Sequence, residues 1–199
     1  KENDPLMKGA DNLYYINSYR PGKIKPIKPE KQKDLEPFLE LMEHIATIEK
    51  ERNHVLDILA FIIKKPWQKV KTITVIYTKH QRFGKGTLFD TLVDILGETN
   101  CEPTDVKGVL DKGVTFAEKQ LVLVDEVKSV GDFSEKANFI NDLKKIGTET
   151  RIQQRRLYQD YKVITTQTNY LIFTNNPDAL NIEAEDERLF VIANENERK

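Results

Sequence analysis

Lys85, Asp125, Glu126, Asn175 and Arg188 are the residues whose types and spacing could handle a polyphosphate. Lys85 stands in Gly84-Lys85-Gly86-Thr87. The β-branched run Thr72-Ile73-Thr74-Val75-Ile76-Tyr77-Thr78 precedes it, and an apolar stripe (Leu88, Phe89, Leu92, Val93, Ile95, Leu96) follows at helical spacing. Strand, loop and helix in that order form a cradle. Backbone N–H groups turn inward, and the helix offers the positive end of its dipole to an anion. In such a cradle Lys85 reaches the β- and γ-phosphates, and Thr87 reaches the phosphates or Mg2+. Taken alone, the four residues read equally well as a Gly-rich turn with a surface lysine.

Forty residues after Lys85, Leu121-Val122-Leu123-Val124 ends in Asp125-Glu126. Four apolar residues in a row read as a strand buried on both faces, as in a parallel sheet. Carboxylates at the carboxyl end of such a strand face the ligand crevice. There Asp125 would hold Mg2+ through its water shell, and Glu126 would orient or deprotonate an attacking water. The plainer alternative is a buried strand ending in solvated acids. A third run, Tyr170-Leu171-Ile172-Phe173-Thr174, ends in Asn175-Asn176-Pro177. An asparagine there can both donate and accept, so it could sense a γ-phosphate and hold a water, although Asn-Asn-Pro is also ordinary turn chemistry. Thirteen residues past Asn175, Arg188 precedes Leu189-Phe190-Val191-Ile192. It is either a surface residue or a finger directed at a neighbour's phosphoryl group.

These pieces, in this order, resemble a superfamily 3 helicase, the compact AAA+ type, and within it the D5-like and phage or plasmid primase–helicase and primase–polymerase group. The resemblance covers roughly residues 37–192. It implies a P-loop NTPase of α/β class, with a mainly parallel central sheet flanked by helices and a small helical N-terminal region ahead of it. It implies that Gly84, Lys85, Gly86 and Thr87 bind ATP, that Thr87 and Asp125 hold Mg2+, and that Lys85, Asp125, Glu126, Asn175 and Arg188 are catalytic. Asn176 is a weaker match for the sensor position than Asn175. The sequence departs from the usual pattern at three points. Lys79 stands at the first glycine position, Gly86 stands where a hydroxyl is usual, and Glu187 stands where a second arginine is common.

Residues 143–152 resemble the family's lead into a hairpin that grips single-stranded DNA in a ring's central channel. From Lys144 to Lys162 there are six Lys/Arg and two Asp/Glu, a local charge of +4 in a chain of net charge −1. Basic residues interleaved with tyrosines suit a phosphate track with stacking platforms, so Arg155, Arg156, Tyr158 and Lys162 are the candidate DNA contacts. A solvated charged hairpin is the alternative.

The surrounding chain must position these residues. At 199 residues it fits one medium domain with a small appendage. Residues 1–33 carry Pro5, Pro21, Pro26 and Pro29 and read as an extended arm, with Leu13–Ile16 a short strand. Residues 34–66 form a helical subdomain, with helices expected over 35–48 and 53–64, and residues 67–199 form the ATPase domain. Within it, helices are expected at 88–96, 104–111 and near 134–146, and a last strand at 189–192. Gly97 is a natural helix stop. Alternating strands and helices imply a parallel sheet with helices on both faces.

Composition bounds the rest. One cysteine, Cys101, excludes an internal disulfide framework and suits a reducing compartment. His44, His54 and His80 are scattered, so no structural zinc site is expected. Basic and acidic residues balance at 31 and 32; a duplex-coating protein is usually basic overall, whereas a ring that confines positive charge to a channel need not be, so the balance neither supports nor excludes nucleic-acid binding. With no signal peptide and no apolar run of membrane-spanning length, a cytoplasmic location is expected, in a bacterial host if the chain is phage- or plasmid-encoded. The first residue is lysine, which suggests a fragment of a longer protein.

The reading that joins these features is an ATP-dependent helicase or translocase acting in phage or plasmid DNA replication. It would work as a homo-oligomeric, hexameric ring on single-stranded DNA, with a fused or associated primase or polymerase as partner. One alternative is a catalytically weak or inactive ring that binds single strands and tethers a primase or polymerase, motivated by the phosphate-loop departures. A nucleoside-phosphate kinase rests on Gly-Lys-Gly-Thr alone and is opposed by the basic hairpin.

Overall fold

Short runs of β-branched and aliphatic residues, each closed by a turn, build this molecule around one sheet. The computed structural model describes residues 6–8, 12–16, 20, 22, 24, 25, 27, 31–110, 116–125, 133–154, 162–177 and 186–196. Ahead of the main body, β1 (Leu6–Lys8) and β2 (Tyr14–Ile16) pair antiparallel. Helices α1 (Glu36–Ile45) and α2 (Glu49–Lys64) follow, then β3 (Ile73–Thr78) and α3 (Lys85–Leu96). Next come β4 (Cys101–Thr104), α4 (Val106–Leu110), β5 (Leu121–Val124) and α5 (Phe133–Thr148). The chain continues with β6 (Arg151–Gln154), β7 (Lys162–Thr165), β8 (Asn169–Thr174) and β9 (Leu189–Asn194).

Five strands form a parallel sheet in the order β4-β5-β8-β3-β9, and β6 and β7 form a separate antiparallel hairpin. Side chains alternate across each strand, so one sheet feeds two cores. Leu121, Leu123, Leu171, Phe173 and Ile76 pack with α1, α2 and α3. Val122, Val124, Ile172, Val75 and Ile73 pack with α4 and α5. Burying one such side chain contributes roughly 1.5–3 kcal/mol, which explains why β5 and β8 are apolar at every position between their ends. The α/β class read from the sequence is the class observed, with a five-stranded parallel sheet flanked by helices. Among the described residues no helix is long and apolar enough to cross a membrane.

Boundaries moved where periodicity gives no signal. α2 starts at Glu49 instead of 53, and α3 at Lys85 instead of 88. Apolar spacing marks only the core-facing turns and is blind to polar first turns, although Glu49 and Glu51 favour the positive end of α2. β4 went unrecognised because Pro103 lies inside it. That proline is tolerated because β4 is an edge strand, with β5 its only sheet neighbour among the described residues.

Candidate functional site

Because all five strands are parallel, β3, β5 and β8 end at the same edge. β8 lies between the other two, so the loop after β3, Asp125 after β5 and Asn175 after β8 converge there. This is the crevice at the carboxyl ends of a parallel sheet where ligands commonly bind.

The loop's shape is set by two residues in left-handed conformation, Arg82 at φ 64° and Gly84 at φ 81°. Gly84 caps α3, and its carbonyl accepts from Leu88 N at 2.9 Å. The N-cap is a glycine with no side chain to offer, so among the described residues the first N–H groups of α3 are left pointing out of the helix end. A Cβ on Gly86 would meet open space, so the first turn of α3 faces outward unobstructed. Thr87 is exposed in that turn. Beneath the loop, Phe83 is buried and stacks on His44 of α1, with ring centroids 4.7 Å apart. Asn194 at the end of β9 donates to the His44 and Ile45 carbonyls at 2.7 and 3.2 Å, closing the end of α1 against the same loop.

A side chain at Gly84 is disfavoured twice over. A Cβ there would lie 2.4 Å from Leu41 Cδ1, in a backbone conformation that costs L-residues roughly 1–2 kcal/mol. Gly84→Ala is expected to lower unfolding stability by about 2 kcal/mol, read from the urea midpoint. Adding Leu41→Ala should recover only the clash. A fully stable single variant would contradict the left-handed cap.

Lys85 is almost buried, and its Nζ donates to the Thr174 carbonyl at 3.0 Å. Burial lowers its pKa to about 8, opposed by the nearby Asp125 carboxylate. Asp125 is exposed, with its backbone N–H bonded to the Thr104 carbonyl at 3.0 Å. Asn175 uses its amide nitrogen on the start of the loop. It donates to the Thr78 carbonyl at 2.6 Å, Thr78 Oγ1 at 2.9 Å and the His80 carbonyl at 2.8 Å. Thr78 Oγ1 in turn donates to the His80 carbonyl at 2.9 Å. By sequence alone Asn175 reads as a sensor of phosphate and water or as a turn residue. The structure adds a mechanical contact: the end of β8 is stitched to the loop through both Asn175 and Lys85.

The sheet edge therefore gathers Gly84, Lys85, Gly86, Thr87, Asp125 and Asn175, with Asn176 adjoining. Arg188 is elsewhere. Its carbonyl accepts from Ile73 N at the amino end of β3, at 2.9 Å. A six-residue strand at about 3.3 Å per residue puts it roughly 20 Å from its own chain's loop. Its guanidinium pairs with Asp186, Nε to Oδ1 at 2.9 Å and Nη2 to Oδ2 at 2.8 Å. Asp186 also meets Lys144 of α5 at 2.5 Å. The Arg188 hydrogen bonds, with Lys144 next, hold the Asp186 carboxyl well below the usual carboxylate range. Lys162 opens β7, but its side chain lies outside the described residues, as do Glu126, Arg155, Arg156 and Tyr158.

Sequence reasoning missed two buried polar anchors. Lys69 donates to the carbonyls of Ile146 and Glu149, at 2.5 and 3.0 Å, at the end of α5. Burial pushes its pKa down to about 8, with Glu149 pulling the other way. Asn169 accepts from Val70 N at 2.8 Å. Both sit in polar stretches between apolar runs, where neither period nor motif marks them.

A cleft of about 330 Å³ adjoins the loop, lined by Glu40, His44, Thr47, Phe83, Asn194 and Asn196 among others. For Mg2+ the donor set is sparse, since no group of three His, Cys, Asp or Glu residues among the described ones could hold a metal. Asp125 and Thr87 would offer Mg2+ two oxygen donors at most. That is how this ion commonly binds beside substrate phosphates, which supply the rest with water.

No curated protein matches the chain in sequence. Among solved structures, the apo C-terminal region of NrS-1 superposes with a TM-score of 0.79 at 22% identity, over 96% of this chain and 45% of that one. Its A form superposes at 0.72 and 23% identity, over 98% and 45%. The X-ray structure of JCV helicase aligns at only 0.45 and 16% identity, over 78% and 45%, too loose a fit to define a shared fold. The chain thus spans less than half the length of each of these structures and shares its fold with the NrS-1 region. A family model matches residues 76–195, from the middle of β3 to just past the end of β9. By that match the chain belongs to the family of unknown function DUF5906.

Proposed function

We propose that this chain is an ATP-driven motor of superfamily 3 type, a ring-forming helicase or translocase that moves single-stranded DNA in replication beside a primase or polymerase. The observation that carries the reading is the convergence of Lys85, Asp125, Asn175 and a glycine-started helix terminus at one sheet edge. A turn with a surface lysine does not account for a lysine buried against the neighbouring strand. A triphosphate would take over the N–H groups of the α3 first turn, and Lys85 would leave the Thr174 carbonyl for it. Asp125 and Thr87 would hold Mg2+, which neutralises phosphate charge when bound. The cleft beside Phe83 suits the nucleoside. Asn175 would report the change back through β8 to the loop, with Glu126 next to Asp125 orienting the water. Arg188, far from its own loop, can serve only a neighbouring subunit, which is why the reading needs a ring.

The direct test is ATP-dependent displacement of a labelled strand from a forked duplex. Displacement that requires ATP and fails in Lys85→Ala supports the motor. Tight single-strand binding with no displacement and no turnover by assembled rings favours the inactive scaffold.

The lowered Lys85 pKa makes nucleotide affinity pH-dependent. A bound polyphosphate favours the charged lysine, so the pKa rises on binding. Below about pH 8 the lysine is already protonated and affinity is flat; above it, binding must take up a proton. Affinity should therefore fall by up to about tenfold per pH unit above that point. Titration calorimetry in buffers of different ionisation enthalpy should show proton uptake at about pH 9 and little at about pH 7. Lys85→Met should remove the difference, and a persisting slope would assign it elsewhere.

A further inference from the structure

Asp186 lies where three elements meet at the amino edge of the sheet. Its carboxylate is almost fully buried, 3% exposed, and so is Lys144 at 4%, whereas Arg188 is 52% exposed. Surface ion pairs of this kind are common; buried ones are not. The carboxylate binds Arg188 through two parallel hydrogen bonds, which fix the plane of the guanidinium as well as its place. A backbone contact adds to this, since Arg188 N donates to Asp186 Oδ1 at 3.0 Å. Lys144 from α5 pins Asp186 as well, on Oδ2, the oxygen that also takes Arg188 Nη2. That helix ends at Thr148, and β6 of the hairpin begins at Arg151. The end of α5 is itself held by Lys69, and the hairpin's return strand runs into β8 through Thr166 and Thr168, which bond to each other at 2.8 Å. Hairpin base, α5 and arginine therefore form one braced unit.

The geometry points to Asp186 as a positioning residue. It orients Arg188 toward the neighbouring subunit and, through Lys144, ties that arginine to the helix that feeds the hairpin. A shift of the hairpin would carry α5 with it, and α5 would carry the arginine. This rests on the motor reading given above, in which Arg188 serves the next subunit's phosphoryl group. It assigns two further residues, Asp186 and Lys144, and a direction of coupling.

The test is subunit mixing in the intact protein. Removing only the carboxylate would leave a buried ammonium unpaired, so the variant pairs Asp186→Asn with Lys144→Met. Alone, it should keep its KM for ATP and lose roughly 10- to 10²-fold in turnover, as misplacing a positioned group does. Stimulation by single-stranded DNA should fall as well. Lys85→Ala subunits have a defective loop but an intact arginine. Rings mixed from the two should regain turnover above the sum of the separate preparations, because the good loop and the good arginine then meet across one interface. A local packing defect would not be repaired by a neighbour. Wild-type turnover in the double variant, or a loss that mixing does not repair while the loss in Arg188→Ala is repaired, overturns the inference and leaves the motor reading standing. Undiminished turnover in Arg188→Ala overturns both.

Discussion

Arg188→Ala is expected to lower ATP turnover by about 10³-fold or more while leaving nucleotide binding nearly unchanged, the magnitude typical of an arginine that stabilises charge on a transferring phosphoryl group. The expectation follows from where the residue sits. Arg188 precedes β9 at the amino end of the sheet, and Lys85 opens α3 at the carboxyl end. Within one subunit the two cannot meet. The loss should therefore be absent from binding measured on single subunits and present only in turnover by assemblies. Arg188→Lys should not rescue, because a lysine cannot reproduce the paired contact to Asp186 that fixes the side chain's direction. Steady-state kinetics with a parallel nucleotide titration would check this. A large loss of affinity with unchanged turnover would place Arg188 in the binding site of its own chain and contradict the fold.

Lys85→Ala is expected to reduce turnover by about 10²- to 10³-fold, the usual scale for removing one positioned donor to developing charge. Unlike Arg188→Ala, it should also weaken nucleotide binding. Lys85 donates to the Thr174 carbonyl in a slot that is only 8% exposed. Truncation therefore removes a buried charge that is costly to desolvate, and stability should hold or rise slightly even as activity disappears. Thermal unfolding beside the kinetic assay separates the two effects. A variant that loses activity because it unfolds would assign Lys85 a structural role instead.

Much of this layout was legible in the chain because its signals are local. β5 is four apolar residues followed by Asp125, β8 is an apolar run ending before Asn175, and α3 repeats Leu88, Leu92 and Leu96 on one face. Each states its own burial. What was not legible depends on contacts distant in sequence. Nothing near Asp186 indicates that Lys144, forty-two residues earlier, would be buried against it. Nothing near Asn175 indicates that its amide would close on Thr78 and His80, almost a hundred residues away. Gly84 illustrates an intermediate case. A glycine at a strand-to-helix turn is an ordinary expectation, but its reason here, Leu41 of α1 pressed against it, belongs to the tertiary structure. The departures at Lys79 and Gly86 likewise have a structural setting. Lys79 N bonds to the Asn194 carbonyl at 2.9 Å, so that position is tied to β9, and Thr87 stays within the first turn of α3 despite arriving one residue late.

The most direct measurement is steady-state ATP hydrolysis at a concentration where sizing shows assembly, with and without single-stranded DNA, beside Lys85→Ala. The expected result is turnover that single strands stimulate and that the variant loses. Assembled wild-type protein that turns over no ATP in either condition would contradict it.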